Sequence, residues 1–376
     1  MQALGNPEFV FSEDRQSGIL FIKALDVDGV KMFEKVELEL DFTTSTFMLK
    51  KTVDADTTIP DDPIETVCLN ANKTIAYPDA IKIEDIAQNP EGIEYDKNDH
   101  TFLLSSQNAT PIIKVNLDGT FKPFTSGEIF PLSTAGLQID YERNRLLVAS
   151  FNGTELFDNN PETKGASYLK IYNLNTGIFE KKINLSSLVP DASAYLANDV
   201  AVDKDGNVYI SDWYAGLVYK VDTEGEPTVF WKNNSGIDAE PNGLDVHPDG
   251  YLLVSLVKVN DKGIYSEYGL VKILLNDPQS ATNVNITDPR FGGFDGMVLT
   301  SKGNVIGVTN NQKTPGGNTL IELSGKNDWE SAEVIHSKNM TASTTVAVTP
   351  ENEHYVINQD FSNDFAKTWT IERIEF

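Results

Sequence analysis

The chain has 376 residues, of which 40% are hydrophobic and 23% charged, as is typical of a globular protein. Its formal net charge of −26 argues against nucleic acid or anionic lipid as a partner, because the phosphates would be repelled. No apolar run reaches the roughly 18 residues of a membrane span, and the single cysteine, Cys68, makes an intrachain disulfide impossible.

Residues 1–60 are predicted to form a small β-meander. The segment GILFIKALDVDGVKMFEKVELELDFTTSTFMLKKT contains three runs of apolar residues, which are separated at DVDG and TTST. This pattern predicts three strands joined by two turns. Residues 61–74, rich in Asp, Thr and Pro, are predicted to link the meander to a second domain at 75–376.

One sequence unit recurs six times in this second part of the chain. Each copy starts with alternating apolar residues, continues through a turn of four or five residues, and ends in a second apolar run. The copies are PEGIEYDKNDHTFLLSS from Pro90, TAGLQIDYERNRLLVAS from Thr134, ANDVAVDKDGNVYISDW from Ala197, PNGLDVHPDGYLLVSLV from Pro241, FDGMVLTSKGNVIGVTN from Phe294 and STTVAVTPENEHYVINQ from Ser343. Each predicts two antiparallel strands. A third strand follows every copy, and a fourth follows most.

Units of four strands that recur every 40–50 residues or so are the signature of a β-propeller. We therefore predict an all-β fold, a six-bladed β-propeller that covers residues 75–376. The sixth unit ends after its third strand, at Phe376, and an unpaired sheet edge is prone to aggregation. We expect AIKIED, residues 80–85, to supply the missing strand and to close the ring.

The first strand of each blade lines the central channel of a propeller, so its first residues from all six blades meet near one axis. Four of the six residues at this position carry a carboxylate or carboxamide, and none is Lys, Arg or His. These ring residues are Glu91, Ala135, Asn198, Asn242, Asp295 and Thr344. Oxygen ligands suit a hard cation, above all Ca²⁺. We predict that Glu91, Asn198, Asn242 and Asp295 bind Ca²⁺ or another divalent cation, although each alone could merely cap a strand.

The pattern resembles the senescence-marker-protein/gluconolactonase/luciferin-regenerating-enzyme-like superfamily of six-bladed propellers, with paraoxonases and strictosidine synthases as more distant relatives. The similarity covers roughly residues 75–376 and rests on PEGIEYD, on AND with VDKDGNVYISD, on PNGLDV and on FDGMVLTSKGNV. It implies the same four metal ligands. Sugar-lactone members carry an Arg two residues before the third-blade Asn, where this chain has Leu196, and this departure predicts that hydrophobic lactones or aryl esters are preferred to gluconolactone.

The second strand of each blade returns to the rim at which the first begins, so its end should surround the metal. We predict a substrate pocket there, formed by Asn152, Asp212, Trp213, Tyr214 and Asn310. Asp199, next to Asn198, is the candidate general base, although an acid at that position can also simply shape the strand.

These residues predict a Ca²⁺-dependent hydrolase of a lactone or ester, in which the metal polarises the carbonyl. The alternative is a non-catalytic secreted propeller that binds a small ligand or a protein partner and keeps calcium for structure. The start, MQALGNPEF, lacks a signal peptide. We expect a monomer that is secreted or periplasmic, and the sequence leaves a cytoplasmic location open.

Overall fold

The structure is a computed structural model. It describes residues 8–11, 17–27, 30–41 and 46–53 through their backbone, and 75–376 apart from 85–88, 129–131, 153–164, 261–264, 310–317, 341–342 and 359–367. The chain divides into two compact units, Met1–Ile75 and Ala76–Phe376. No helix among the described residues is long and apolar enough to cross a membrane.

The first unit contains one antiparallel sheet of four strands in the order β1-β2-β3-β4. The strands are β1 Glu8–Phe11, β2 Ser17–Val27, β3 Val30–Asp41 and β4 Thr46–Val53. The last three correspond to the three strands predicted from the sequence. The sequence analysis missed β1, because a run of four residues is too short to show an alternating pattern. Residues 61–74, the predicted linker, lie outside the described residues.

The second unit consists of six antiparallel sheets of four strands each, which are the six predicted blades. Blade 1 contains β6 Ile93–Asp96, β7 Thr101–Leu104, β8 Ile113–Asn116 and β9 Phe121–Pro123. Blade 2 contains β10 Ser133–Asp140, β11 Arg145–Asn152, β12 Ala166–Asn173 and β13 Phe179–Asn184. Blade 3 contains β14 Ala197–Val202, β15 Val208–Asp212, β16 Leu217–Val221 and β17 Pro227–Lys232. A short 3₁₀ helix, Ser186–Leu188, joins the second blade to the third.

The remaining blades complete the ring. Blade 4 contains β18 Glu240–His247, β19 Tyr251–Val259, β20 Tyr265–Leu274 and β21 Asp277–Asn283. Blade 5 contains β22 Met297–Leu299, β23 Val305–Thr309, β24 Thr319–Lys326 and β25 Ser331–Asn339. Blade 6 contains β26 Ser343–Val348, β27 His354–Asn358, β28 Thr368–Ile374 and β5 Ala80–Glu84.

The sixth blade confirms the predicted closing strand, because β5 pairs antiparallel with β28 and places Ile81 opposite Ile371. The local sequence explains this strand: Ile81 and Ile83 are buried, whereas the residues between and beside them are exposed. One strand from the start of the unit and three from its end therefore form a single sheet. A closed ring leaves no long unpaired edge between the first and last blades.

The innermost strands are irregular at the ring residues. In blade 3, Ala197 pairs with Asp212 and Val200 with Ile210, so that two residues, Asn198 and Asp199, bulge opposite one. The innermost strands of blades 2, 4 and 6 shift register at the same place. In blades 1 and 5 the paired strand starts two residues after the ring residue. A β-bulge bends a strand and re-aims its side chains, and the bulges therefore explain how ring residues leave the regular sheet.

A buried aliphatic residue follows each ring residue by two positions and fixes the strand below it. These six residues belong to six different hydrophobic clusters: Ile93, Leu137, Val200, Leu244, Met297 and Val346. Each of these six clusters contains residues of two neighbouring blades, so the core is distributed around the channel and joins each blade to the next.

Candidate functional site

The structure brings the four predicted metal ligands together at the channel. Glu91, Asn198 and Asp295 line one cavity of about 230 Å³. Asn242 joins them because the Nδ2 amide of Asn198 donates a hydrogen bond to its Oδ1. Glu91, Asn198 and Asn242 are all buried. These residues lie far apart in the sequence, and the propeller topology alone makes them neighbours.

The other two ring residues have structural contacts. The Thr344 hydroxyl donates a hydrogen bond of 2.6 Å to the backbone carbonyl of Glu91, and so ties the sixth blade to the first. Ala135 lies in an apolar cluster with Phe151 and Leu196. Neither residue adds a charge to the ring, so the negative charge of the ring comes from Glu91 and Asp295.

The channel cavity is strongly acidic. Five carboxylates line it, and none of its described lining residues is Lys, Arg or His; the acids are Glu91, Glu94, Asp199, Asp245 and Asp295. Burial, together with the charges of Asp295 and Asp199, raises the pKa of Glu91 well above its usual range. Burial also raises the pKa of Glu94 to about 8. Carboxylates gathered in this way are unfavourable unless protons or a cation neutralise them.

The chemistry of the ring fits a hard cation. It offers carboxylate and amide oxygens and no sulfur or imidazole, which is the donor set that Ca²⁺ prefers. Among the described residues, no three His, Cys, Asp or Glu side chains gather as a metal-binding group. The amides of Asn198 and Asn242 would therefore have to provide half of the protein ligands. The two amides contact each other through the hydrogen bond from Asn198 to Asn242.

Asp199 lines the same cavity and is held from two sides. Its Oδ1 accepts the backbone N–H of Val200 at 2.9 Å, and its Oδ2 accepts that of Leu244, in the next blade, at 2.9 Å. Burial is the main reason that its pKa rises to about 8, and the charges of Asp245 and Asp295 add to the shift. The carboxylate therefore bridges blades 3 and 4, next to the ring. Each of its oxygens has a further lone pair that can accept a proton.

Two more channel acids bridge neighbouring blades, and the sequence analysis did not single them out. Oδ2 of Asp245 accepts the backbone N–H of Leu299, in blade 5, at 2.7 Å. Oε1 of Glu94 lies 3.5 Å from the backbone N–H of Ile139, in blade 2. Both acids follow a ring residue by three positions. A polar residue at that position of an otherwise apolar repeat was the available signal.

Trp213 and Tyr214 lie at the rim end of blade 3. Their rings stack with centroids 5.3 Å apart, and the Trp213 indole N–H donates to the carbonyl of Val257 at 3.3 Å. Trp213 is half-buried and packs on the cluster of Ala135, Phe151 and Leu196. The residue in place of the sugar-lactone Arg, Leu196, is thus covered by an aromatic ring beside the channel ring. Neither the two aromatic residues nor the three residues of this cluster line the channel cavity itself.

The remaining pocket residues are placed differently. Asp212 is fully buried and accepts hydrogen bonds from the backbone N–H groups of Leu196 and Ala215 and from the hydroxyls of Ser167 and Tyr219. It therefore links blade 3 to Ser167 of blade 2 and does not line the channel cavity. Asn152, at the end of β11, is 1% exposed and does not line that cavity either. Asn310 lies outside the described residues.

Comparison with known proteins rests on structure. No protein-family model and no curated protein matches the chain by sequence. A gluconolactonase from Xanthomonas campestris is similar in structure, with a TM-score of 0.51 and 13% identity over 78% of this chain and 89% of that one. The calcium-binding protein regucalcin from Agrobacterium tumefaciens has a TM-score of 0.51 and 17% identity over 79% and 95%.

The chain is a six-bladed β-propeller. The predicted resemblance to propellers of the gluconolactonase and regucalcin kind is confirmed for the fold. A glucose dehydrogenase is as similar in structure, with a TM-score of 0.52 and 11% identity over 80% of this chain and all of that one. Proteins with different names thus share this fold, and the function must be argued from the site.

Proposed function

We propose that this protein hydrolyses a lactone or ester with the help of Ca²⁺, or another divalent cation, held by Glu91, Asn198, Asn242 and Asp295. One observation carries the proposal. Glu91, Asn198 and Asp295 line a cavity with five carboxylates and, among its described residues, no basic group, and Asn242 contacts Asn198 beside it. Carboxylates gathered without a basic neighbour are unfavourable in a channel that binds no cation. They suit a site for a cation that also binds a substrate oxygen.

The four proposed ligands would be of two kinds, charged and neutral. Glu91 and Asp295 supply two negative charges, and Asn198 and Asn242 supply neutral oxygens. Ca²⁺ takes about 6–8 oxygen ligands, so four protein ligands leave positions for water and for a substrate oxygen. When bound, the ion polarises an ester carbonyl and stabilises the negative charge that develops on its oxygen.

Asp199 is the proposed general base. It lies directly after Asn198 in the chain, and its contacts with the N–H groups of Val200 and Leu244 fix its orientation. A carboxylate held in this way beside the ring can accept the proton of an attacking water, a role that commonly contributes about 10²–10⁴-fold to the rate.

The substrate is proposed to be hydrophobic. The apolar cluster of Ala135, Phe151, Leu196 and Trp213 lies beside the ring and presents a half-buried aromatic face. No guanidinium stands at position 196 to bind the hydroxyl groups of a sugar lactone. A hydrophobic lactone or an aryl ester is therefore the preferred substrate class.

A second candidate function is a binding propeller with a structural cation. It is favoured by the contacts of Asp199, whose two carboxylate oxygens each accept a backbone N–H group, as in a residue that only joins blades. In that case the cation would stabilise the ring without turnover.

A panel of lactones and aryl esters separates the two functions. The protein is first stripped with a chelator, and its circular dichroism is recorded to show that it remains folded. A hydrolase should turn over at least one substrate only after Ca²⁺ is returned. Tight Ca²⁺ binding without turnover on any substrate of the panel would contradict the hydrolase and favour the binding propeller.

A further inference from the structure

Three serines occupy the same position in three different blades. In the second strand of each blade, one residue pairs with the buried aliphatic residue that lies two positions after the ring residue. Ser105, Ser211 and Ser255 each come directly after this paired residue in their blade. All three are fully buried. They were no part of the site predicted from the sequence.

Each serine binds the backbone directly beside a candidate metal ligand. Ser105 Oγ accepts the N–H of Gly92 at 2.7 Å, next to Glu91. Ser211 Oγ accepts the N–H of Asp199 at 3.0 Å, next to Asn198. The third bond crosses between blades. Ser255 Oγ, in blade 4, accepts the N–H of Phe294 at 2.7 Å, and Phe294 precedes Asp295 in blade 5.

The irregular strands explain why these bonds are needed. Around the ring residues the regular pairing is interrupted, so a backbone N–H group there has no partner in the sheet ladder. A buried N–H group without a partner is costly, and a serine hydroxyl from the next strand, or from the neighbouring blade in the case of Ser255, is close enough to accept it. The same bond fixes the backbone from which the candidate ligand extends.

In the remaining blades, the residue at the position of these serines is apolar. In blade 2, where the ring residue is Ala135, the corresponding position is Ala149. In blade 6, where the ring residue is Thr344, it is Ile357. Blade 5 has Val308 there, but Ser255 of the preceding blade holds its segment. The serines thus bind three of the four segments that carry a candidate ligand. Blades 2 and 6, which carry no candidate ligand, have an apolar residue at the serine position.

We propose that Ser105, Ser211 and Ser255 are positioning residues of the cation site, each holding the backbone beside one ligand at the distance that a shared ion requires. This inference rests on the proposed function, because it takes Glu91, Asn198 and Asp295 as ligands. It adds that the affinity for the cation depends on three buried hydroxyls that do not touch the ion.

The test compares Ser105→Ala, Ser211→Ala and Ser255→Ala with a matched control, Ser150→Ala. Ser150 is equally buried and donates a hydrogen bond of 2.8 Å to the carbonyl of Ser133, but it belongs to the blade whose ring residue is Ala135. Calorimetry with Ca²⁺ alone gives Kd for each chelated protein, and thermal melts without Ca²⁺ give its stability. Ser211→Cys, which keeps the size of the side chain but accepts hydrogen bonds poorly, replaces Ser211→Ala if that variant does not fold.

The three site variants should raise Kd for Ca²⁺ about 10-fold or more, as is usual when support behind metal ligands is lost. The control should lower the melting temperature without changing Kd more than about 2-fold, because it holds no ligand. Unchanged Kd in the three site variants, or equal weakening by Ser150→Ala, would overturn the positioning role while leaving the proposed site intact. A wild-type protein that binds no Ca²⁺ would refute the proposed cation site and this inference with it.

Discussion

Asp199 is the single residue on which the hydrolase and the binding propeller differ most. If it accepts a proton from water, Asp199→Asn should lower the rate by about 10²–10⁴-fold while Ca²⁺ affinity changes little, because the amide cannot act as a base. The Asn oxygen can still accept one backbone N–H group, so the bridge between blades 3 and 4 is partly kept. Steady-state rates and calorimetry on the same preparation measure both effects. A rate close to that of the wild type would mean that Asp199 only joins the blades.

Leu196 carries the expectation about the substrate. Leu196→Ala opens a space under the half-buried Trp213 ring, and Trp213→Ala removes the aromatic face itself. Both variants should lose more activity on hydrophobic lactones than on small polar ones, because the lost contacts are apolar. Phe121→Ala is the control, since Phe121 is an exposed aromatic residue in the outer strand of blade 1 and lies outside the cluster. A wild-type preference for gluconolactone over aryl esters, measured as kcat/KM, would reverse the specificity argument.

The ring residues could be read from the sequence because they occupy one register position in a repeat. Glu94 and Asp245 were equally regular, but their role depends on the distance between blades, which no repeat pattern contains. The backbone N–H groups that donate to them lie in neighbouring blades, at Ile139 and Leu299. Asp212 shows the converse: its position at a strand end indicated the pocket, whereas four donors surround it, one of them Ser167 of blade 2, and it does not line the cavity.

Among the elements, β5 decides whether the ring is closed. Ile83 is fully buried in a cluster that joins the first and sixth blades, so Ile83→Ala should lower the free energy of unfolding by about 2–5 kcal/mol. Lys82→Ala, one position away on the exposed side, should change it by less than about 0.5 kcal/mol. Denaturant unfolding of both variants measures the difference. Equal stability of the two would mean that β5 does not close the propeller.

Strands with alternating apolar residues were predictable, whereas polar edge strands were not. AIKIE alternates buried and exposed residues, and the sequence analysis expected it to close the ring because the sixth unit ended after its third strand. The outer strand of blade 4, Asp277–Asn283, has the sequence DPQSATN and no buried residue, so its composition predicts a loop. It is a strand because its backbone pairs with β20, at Val271 with Asn283 among others. An edge strand of this kind depends on its neighbour and leaves little trace in its own sequence.

For the molecule as a whole, the channel acids predict a pH dependence of stability in the absence of metal. The pKa of Glu94 is about 8 in the folded protein against an ordinary value of 4.5, so between these values only the unfolded chain is ionised. The stability that this carboxyl contributes is thus complete below about pH 4.5, falls as the pH rises, and is gone above about pH 8. Burial shifts Asp199 and Asp245 in the same direction, with pKa values of about 8 and about 6.

Thermal melts of the metal-free protein between pH 5 and pH 8.5 or so test this dependence. Glu94→Gln keeps an oxygen for the N–H of Ile139 but cannot titrate. The wild type should therefore lose stability relative to Glu94→Gln as the pH rises through this range. A constant difference between the two proteins would show that Glu94 is ionised throughout, and that the channel is better solvated than its burial indicates.

The most direct measurement is a calorimetric titration of the chelated protein with Ca²⁺, repeated on Asp295→Ala and on Asp191→Ala. Asp191 is an exposed acid away from the channel cavity, so it controls for the loss of one negative charge. We expect one ion to bind the wild type and the Asp191 variant, and to raise their melting temperatures, because a ligand that binds only the folded state stabilises it. Asp295→Ala should lose both the binding and the stabilisation. Unchanged Ca²⁺ binding in Asp295→Ala, or no binding in the wild type, would contradict a cation site at the ring.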